Sequence, residues 1–267
     1  MTPVTKRAWR RLCSFAGFDP ERLVGSLQGV TDFLNTWKHY NQNNRRPAFR
    51  ATWRDLYPIL NERAQGAGTA GGHYFHQDLW AARKILARRP PRHLDIGSRI
   101  DGFVAHLLVF MPVTVVDIRP IEGRVKGLTF IQDDATELSA FHDDSVESLS
   151  SLHAAEHFGL GRYSDAVDPE ACFRFMQALG RVLSPNGRLY FSVPIGRERV
   201  EFNAHRVFAV RTILSSFARL QLVSFSFVGE DDRLYEDVDP SQVPAGGYAC
   251  GLFEFTKATA EPLPPIA

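Results

Sequence analysis

A chain of 267 residues with 44% hydrophobic and 23% charged side chains is long enough for one core of roughly 200 residues and an appendage. Thirty-one basic against thirty acidic residues leave a formal net charge of +1, which argues against broad electrostatic attraction to nucleic acid, and there is no run of about 18 apolar residues to span a bilayer. Cys13, Cys172 and Cys250 have no Cys-x-x-Cys spacing, so neither a disulfide framework nor a zinc knuckle is expected, and a reducing, cytoplasmic compartment fits best.

The opening residues place Lys6, Arg7, Arg10 and Arg11 among Trp9, Leu12 and Phe15. This pattern reads as a docked helix with a solvated basic face, with peripheral contact to a membrane surface as the alternative; it lacks the long apolar centre of a secretory signal. Up to about Arg63 the chain is helix-prone but interrupted by Pro20, Pro47 and Pro58. It is expected to be an accessory helical segment, closed by a flexible joint at Gly66, Gly68, Gly71 and Gly72. Residues 1–72 then precede a domain over 73–257 and a proline-rich, disordered tail over 258–267.

Beyond the joint the pattern becomes regular. Phe75, Leu79, Ala82 and Leu86 fall near a 3.6-residue period, which predicts a helix over Tyr74 to Arg88 ended by Pro90-Pro91. Strands are predicted at His93 to Gly97, Val113 to Asp117, Leu128 to Gln132, Val146 to Leu152 and Arg188 to Val193. Helices are predicted at Phe103 to Phe110 and Glu170 to Leu183, and Ile118 to Gly127 is short for a crossover helix. Such alternation predicts a parallel sheet with right-handed crossovers. Two last strands, Gln221 to Val228 and Tyr248 to Phe255, flank an acidic loop, Glu230 to Asp239, which reads as solvated and has no metal-ligand pattern.

Four segments follow apolar runs and therefore fall at the carboxyl ends of strands, where open α/β sheets gather ligands. They are H-L-D-I-G-S (His93 to Ser98), V-V-D-I-R (Val115 to Arg119), F-I-Q-D-D-A-T-E-L (Phe130 to Leu138) and S-L-H-A-A-E-H-F (Ser151 to Phe158). Together with A-L-G-R-V-L-S-P-N-G-R-L-Y-F-S-V-P and the terminal strand pair, their order resembles that of class I S-adenosylmethionine-dependent methyltransferases over roughly Tyr74 to Lys257. The resemblance implies an α/β fold: a doubly wound, Rossmann-like, mostly parallel sheet of seven strands with an antiparallel last strand. It also implies S-adenosyl-L-methionine as cofactor.

In that likeness Gly97 lets the backbone approach the methionine part, and Asp117 accepts hydrogen bonds from both ribose hydroxyls. Asp134 meets the adenine amino group with the amide of Ala135 near the ring edge. Asp95, Ser98, Ile118 and His153 complete the expected cofactor contacts. The loop departs from D-x-G-x-G-x-G, because Arg99 and Asp101 stand where later glycines are expected. Either Gly102 takes the last glycine's role in a longer loop, or cofactor binding is altered. A closer resemblance is to the branch catalogued as domain of unknown function 268. It rests on H-Y-F-H-Q-D-L-W, D-I-G-S-R-I-D-G-F-V-A-H, D-I-R-P, L-H-A-A-E-H-F-G-L-G-R-Y and F-N-A-H-R-V-F, and makes the Arg99 loop a branch feature.

Methyl transfer to a hydroxyl needs alignment of the acceptor and removal of its proton, and a neutral imidazole suits the second task. His157 and His205 are the two candidate bases, with Glu156 beside the first. Arg162 and Tyr163 offer a guanidinium and a ring for a sugar or phosphate, and Arg197 extends that set toward an anionic acceptor. Gln77 and Asp78 are placed either over the cofactor or, for Asp78, at a helix start. By analogy with bacterial relatives, the expected activity is O-methylation of a saccharide or glycoconjugate precursor in polysaccharide biosynthesis. The alternative is a non-catalytic module of the same fold in glycan assembly. A nicotinamide-dependent oxidoreductase is disfavoured by the lack of G-x-G-x-x-G and by the terminal strand pair.

Overall fold

The computed structural model describes residues 20–60, 66–243 and 247–258. The basic opening segment around Trp9 and the proline-rich end beyond residue 258 lie outside them. The chain divides into two compact units, Met1–Thr69 and Ala70–Ala267.

In the first unit, Pro20 opens helix α1 (Pro20–Asn43), a position where its missing N–H costs nothing. The segment that follows folds back on this helix. Trp37 Nε1 and Asn41 Nδ2 both donate to the Ala51 carbonyl, at 2.9 and 2.8 Å, and Ala51 N donates to Asn41 Oδ1 at 3.1 Å.

In the second unit, helix α2 (His73–Arg88) leads into a sheet whose first five strands are β1 (His93–Ile96), β2 (Val113–Asp117), β3 (Leu128–Gln132), β4 (Val146–Leu152) and β5 (Leu183–Gly196). A π-helical turn, Ile100–Val104, and the short helix α3 (Ala105–Leu108) join β1 to β2, while α4 (Ala171–Val182) precedes β5. There is no helix between β2 and β3 among the described residues, as the length of that connection predicts. After β5 come a hairpin of β6 (Arg199–Glu201) and β7 (His205–Val207), helix α5 (Val210–Ser216), β8 (Gln221–Val228), the two-residue β9 (Leu234–Tyr235) and β10 (Tyr248–Thr256).

The sheet order is β3-β2-β1-β4-β5-β10-β8-β9. β1 to β5 are mutually parallel, and β10 enters antiparallel between β5 and β8. This is the expected seven-stranded, doubly wound sheet, with β9 added as a two-residue edge. Alternation along the strands fills two cores. Phe253 and Phe255 pack with Phe175, Leu179, Phe191 and Phe217 on one face; Cys250 and Leu252 pack with Trp80, Ile85, Phe103 and Tyr190 on the other. Because strand order reverses between β1 and β4, the crevice that such sheets use for ligands opens beside Gly97 and His153.

Candidate cofactor and acceptor site

A cavity of about 310 Å³ lies at that switch point, walled by the tips of β1, β2, β3 and β4. Of the residues singled out from sequence, it brings together Gly97, Asp117, Ile118, Asp134, Ala135, His153, His157 and Tyr163. The volume falls at the lower end of the range of small-molecule sites.

Gly97 adopts φ +71°, and a Cβ there would meet the Ala154 methyl at 3.0 Å. A side chain would thus be both strained and crowded where β1 passes β4. Asp117 turns its carboxylate to Arg119: Oδ1 accepts from the Arg119 amide at 2.8 Å and Nε at 2.9 Å, and Oδ2 from Nη2 at 2.6 Å. The Arg119 guanidinium lies 4.6 Å over the Tyr163 ring. Asp134 Oδ1 accepts from Thr136 N at 2.9 Å and Oγ1 at 2.6 Å, an Asx turn that presents the loop after β3 to the cavity.

Six other candidates stand off the cavity wall, and their roles change accordingly. Asp95 is fully buried under the loop and accepts from Ser98 N, Ser98 Oγ and Ser150 Oγ at 3.1, 2.6 and 2.5 Å. Ser98 in turn accepts from Leu152 N at 3.0 Å. These two residues shape the turn and tie β1 to β4; they do not face a ligand. Ser150 Oγ donates to Asp95, so it accepts from His93 Nε2 at 2.8 Å, and Ser148 Oγ then donates to His93 Nδ1 at 2.7 Å. Burial lowers the His93 pKa to about 3 and raises that of Asp95 to about 6 against the pull of its serine donors.

Glu156 is also buried; its Oε1 lies 2.7 Å from His153 Nδ1 and 3.9 Å from His157 Nε2. It orients the two histidines from behind. His205, on β7, stacks tilted against Tyr248 at 6.2 Å with Nε2 4.0 Å from Glu201. Arg162 Nη1 donates to the Ala204 carbonyl at 2.9 Å, and Arg197 is exposed beyond β5.

His157 is the base candidate that the fold brings into the cavity. Its Nδ1 lies 2.7 Å from the Ala204 carbonyl, which can only accept; the proton therefore sits on Nδ1 and Nε2 keeps its lone pair. Burial lowers its pKa against the opposing influence of Glu156, so the ring is neutral near pH 7. The loop after it is built by Asp165, whose carboxylate accepts from Gly159 N, Gly161 N and Tyr163 N at 2.8, 3.2 and 3.1 Å. That turn sets Tyr163 edge-on to His157 at 5.6 Å.

The Arg99 loop is settled by Asp101 and Asp78. Arg99 pairs with Asp101 at 3.1 Å, half-exposed, and lies 5.0 Å over Tyr74, so its guanidinium stays with these partners on the wall. Gly102 abuts Asp78, and a Cβ there would collide with that carboxylate. Asp78 is therefore packed against the loop and not at the helix start, where Gly72 is the cap. Burial raises its pKa against a hydrogen bond from Gln77.

Four contributors carry little or no signal in the sequence: Arg119, His73, Tyr74 and Cys250. Arg119 stands in D-I-R-P, two residues after the strand-end acid, a spacing that allows the bidentate pair. His73 and Tyr74 open α2; the periodicity starts that helix at Tyr74, and His73 stands out only within H-Y-F-H-Q-D-L-W. Cys250 was noted as an isolated thiol, yet its Sγ, an atom of His153 and an atom of His73 lie within 4.8 Å of one another.

Residues 124–234 match the family described as Caenorhabditis protein of unknown function, DUF268. No curated protein matches the chain. Among solved structures, the N-methyltransferase NodS from Bradyrhizobium japonicum WM9 in complex with S-adenosyl-L-homocysteine superposes with a TM-score of 0.50 at 14% identity, over 85% of this chain and 99% of that one. The [4+2]-cyclase SpnF superposes at 0.51 and 16% identity, over 89% and 96%. The chain therefore has the class I S-adenosylmethionine-dependent methyltransferase fold and carries the DUF268 sequence signature over residues 124–234.

Proposed function

We propose that the protein is an S-adenosylmethionine-dependent O-methyltransferase whose acceptor is a saccharide or glycoconjugate precursor, acting in the cytoplasm in polysaccharide biosynthesis. The observation that carries this reading is a neutral imidazole, His157, with a free Nε2 in the same cavity as Asp117 and Asp134. The residues present fit the cofactor. Gly97 leaves backbone open at the switch point, Asp117 Oδ2 accepts a single hydrogen bond within the chain and so keeps a lone pair for a ribose hydroxyl, and Asp134 with Ala135 walls the far side. When bound, the cofactor supplies a methyl group already activated on a sulfonium.

The chain's own part is alignment and proton removal. His157 Nε2 takes the acceptor's hydroxyl proton, and the Ala204 carbonyl and Glu156 hold the ring while its charge develops. Tyr163 and Arg119 supply the aromatic ring and guanidinium that suit a sugar or a phosphorylated sugar.

Isothermal titration with S-adenosylhomocysteine should give saturable binding that Asp117→Ala weakens by ~10–100-fold, the scale of losing one charge-assisted hydrogen bond. Folded protein that gives no heat with either form of the cofactor would overturn the reading. A second reading, a non-catalytic module of this fold, draws support from the hold of Arg119 on Asp117, and the same titration separates the two.

A further inference from the structure

We propose that His73, His153 and Cys250 form a binding site for a zinc-class divalent transition metal at the edge of the cavity. Their ligand atoms lie within 4.8 Å of one another. Two imidazoles and a thiolate are a zinc donor set, and three protein ligands leave a fourth position for water or a substrate atom. The site draws on three separate elements: the start of α2, the exit of β4 and the start of β10.

The second observation is independent of proximity. The His153 side chain is only 6% exposed, and its Nε2 has no hydrogen-bond partner, a costly arrangement for a buried ring nitrogen. Its other nitrogen is held by Glu156 Oε1 at 2.7 Å, the carboxylate–imidazole support that fixes a metal-ligating histidine and raises its basicity. The backbone is fixed as well. His153 has φ +52° and donates its N–H to Ser192 O and Oγ at 3.0 and 3.1 Å.

The other two ligands are comparably placed. The His73 ring stacks within 9° of the His153 plane, at 5.8 Å, and against Tyr248 at 5.5 Å. Cys250 is fully buried, and its thiol donates a long hydrogen bond to Gln77 Oε1 at 3.8 Å, an oxygen that also accepts from Ser192 Oγ. Of the three ligands His153 also walls the cavity, so the site borders the space where an acceptor would bind. An acceptor hydroxyl or thiol bound there would be acidified by the metal, a consequence that rests on the methyl-transfer reading, whereas the metal site itself does not.

The test uses the full chain, stripped with a chelator and titrated with cobalt(II) and then zinc. One equivalent of cobalt should bind with a thiolate charge-transfer band and tetrahedral d–d bands, and zinc should displace it. Cys250→Ser should lose the thiolate band, His73→Ala should weaken zinc binding, and Glu156→Gln should weaken it by ~10–100-fold through His153. Circular dichroism confirms folding, and should Cys250→Ser unfold, His73→Ala and Glu156→Gln carry the test. No stoichiometric zinc, or zinc binding that His73→Ala and Glu156→Gln leave unchanged, would overturn the site. Titration of the metal-free protein with S-adenosylhomocysteine, run alongside, reports separately on the cofactor reading.

Discussion

Strand β10 carries two charged neighbourhoods, and they are built on opposite rules. Glu254, in its second half, is paired completely: Oε2 takes Lys84 Nζ at 3.0 Å and Ser224 Oγ at 3.2 Å, and Oε1 takes Arg188 Nε at 3.1 Å. The unpartnered atoms near it, Trp80 Nε1 and Tyr190 Oη, belong to neutral rings. Four residues earlier on the same face, Cys250 joins His73 and His153, where His153 Nε2 and Glu156 Oε2 are buried without a hydrogen-bond partner. A buried group left open costs stability, so its retention at the strand tips, beside complete pairing at mid-strand, separates the part of the sheet that can take a ligand from the part that holds the fold.

The sharpest test of this contrast is His157→Ala, which should cut methyl incorporation from labelled S-adenosylmethionine into an extract of the source cells by ~10²–10⁴-fold. Melting temperature and S-adenosylhomocysteine affinity should stay near wild type; a comparable loss of affinity would make His157 a cofactor contact. Glu254→Ala should do the reverse. With Lys84 left to Asp237 and Ser224 and Arg188 left to Thr256, it should cost about 1–3 kcal/mol in chemical denaturation with cofactor affinity unchanged in the folded fraction.

Gly97→Ala sits between the two neighbourhoods. The left-handed backbone and the Ala154 methyl should cost about 1–3 kcal/mol and weaken S-adenosylhomocysteine together, because one turn serves both fold and site. Equal stability with unchanged binding would dissociate them.

A smaller effect is expected from pH. Asp95 has a folded pKa raised to about 6 by burial, above the unfolded value near 4, so its contribution to stability falls as pH rises through that window. His93 is lowered to about 3 by burial, below the unfolded value near 6.5, so its contribution rises between about pH 3 and 6.5. The two slopes oppose one another through Ser150. Asp95→Asn should therefore show stability rising more steeply than wild type between pH 4 and 6, read as melting temperature against pH; parallel curves would refute the assignment.

The smallest change is expected from Arg119→Met. Release of the Asp117 carboxylate should tighten S-adenosylhomocysteine a few-fold, and weaker binding would make Arg119 a ligand contact.

SpnF, a cyclase, and NodS, an N-methyltransferase, share this fold, so the fold by itself does not select a reaction. The sheet itself was largely legible in the sequence. β2, β3, β4 and β8 occupy the predicted residues, because alternating or continuous apolar runs must be buried wherever they fall. The hairpin of β6 and β7 was not legible; its strands are three residues each, β6 is exposed, and runs so short carry no periodic apolar signal.

Within the site, Gly97, Asp117, Asp134 and His157 were legible because each is fixed by its place after a strand. Asp95, Ser98 and Glu156 have the same local signature, yet they point beneath the loops, a direction set by packing against β4 and not by position in the chain. His205 was separated from His157 only by the course of the chain after β5.

The sequence by itself determined the seven main strands of the sheet and which acids reach the strand ends, since these depend on local periodicity and on the position of Asp and Gly after apolar runs. Tertiary structure alone decided that His73, His153 and Cys250 meet and that Ala204 selects the His157 tautomer. Each of these contacts joins residues whose relation exists only once β10 has been inserted beside β5, or a loop has closed over the strand tips, and no local pattern encodes that distance.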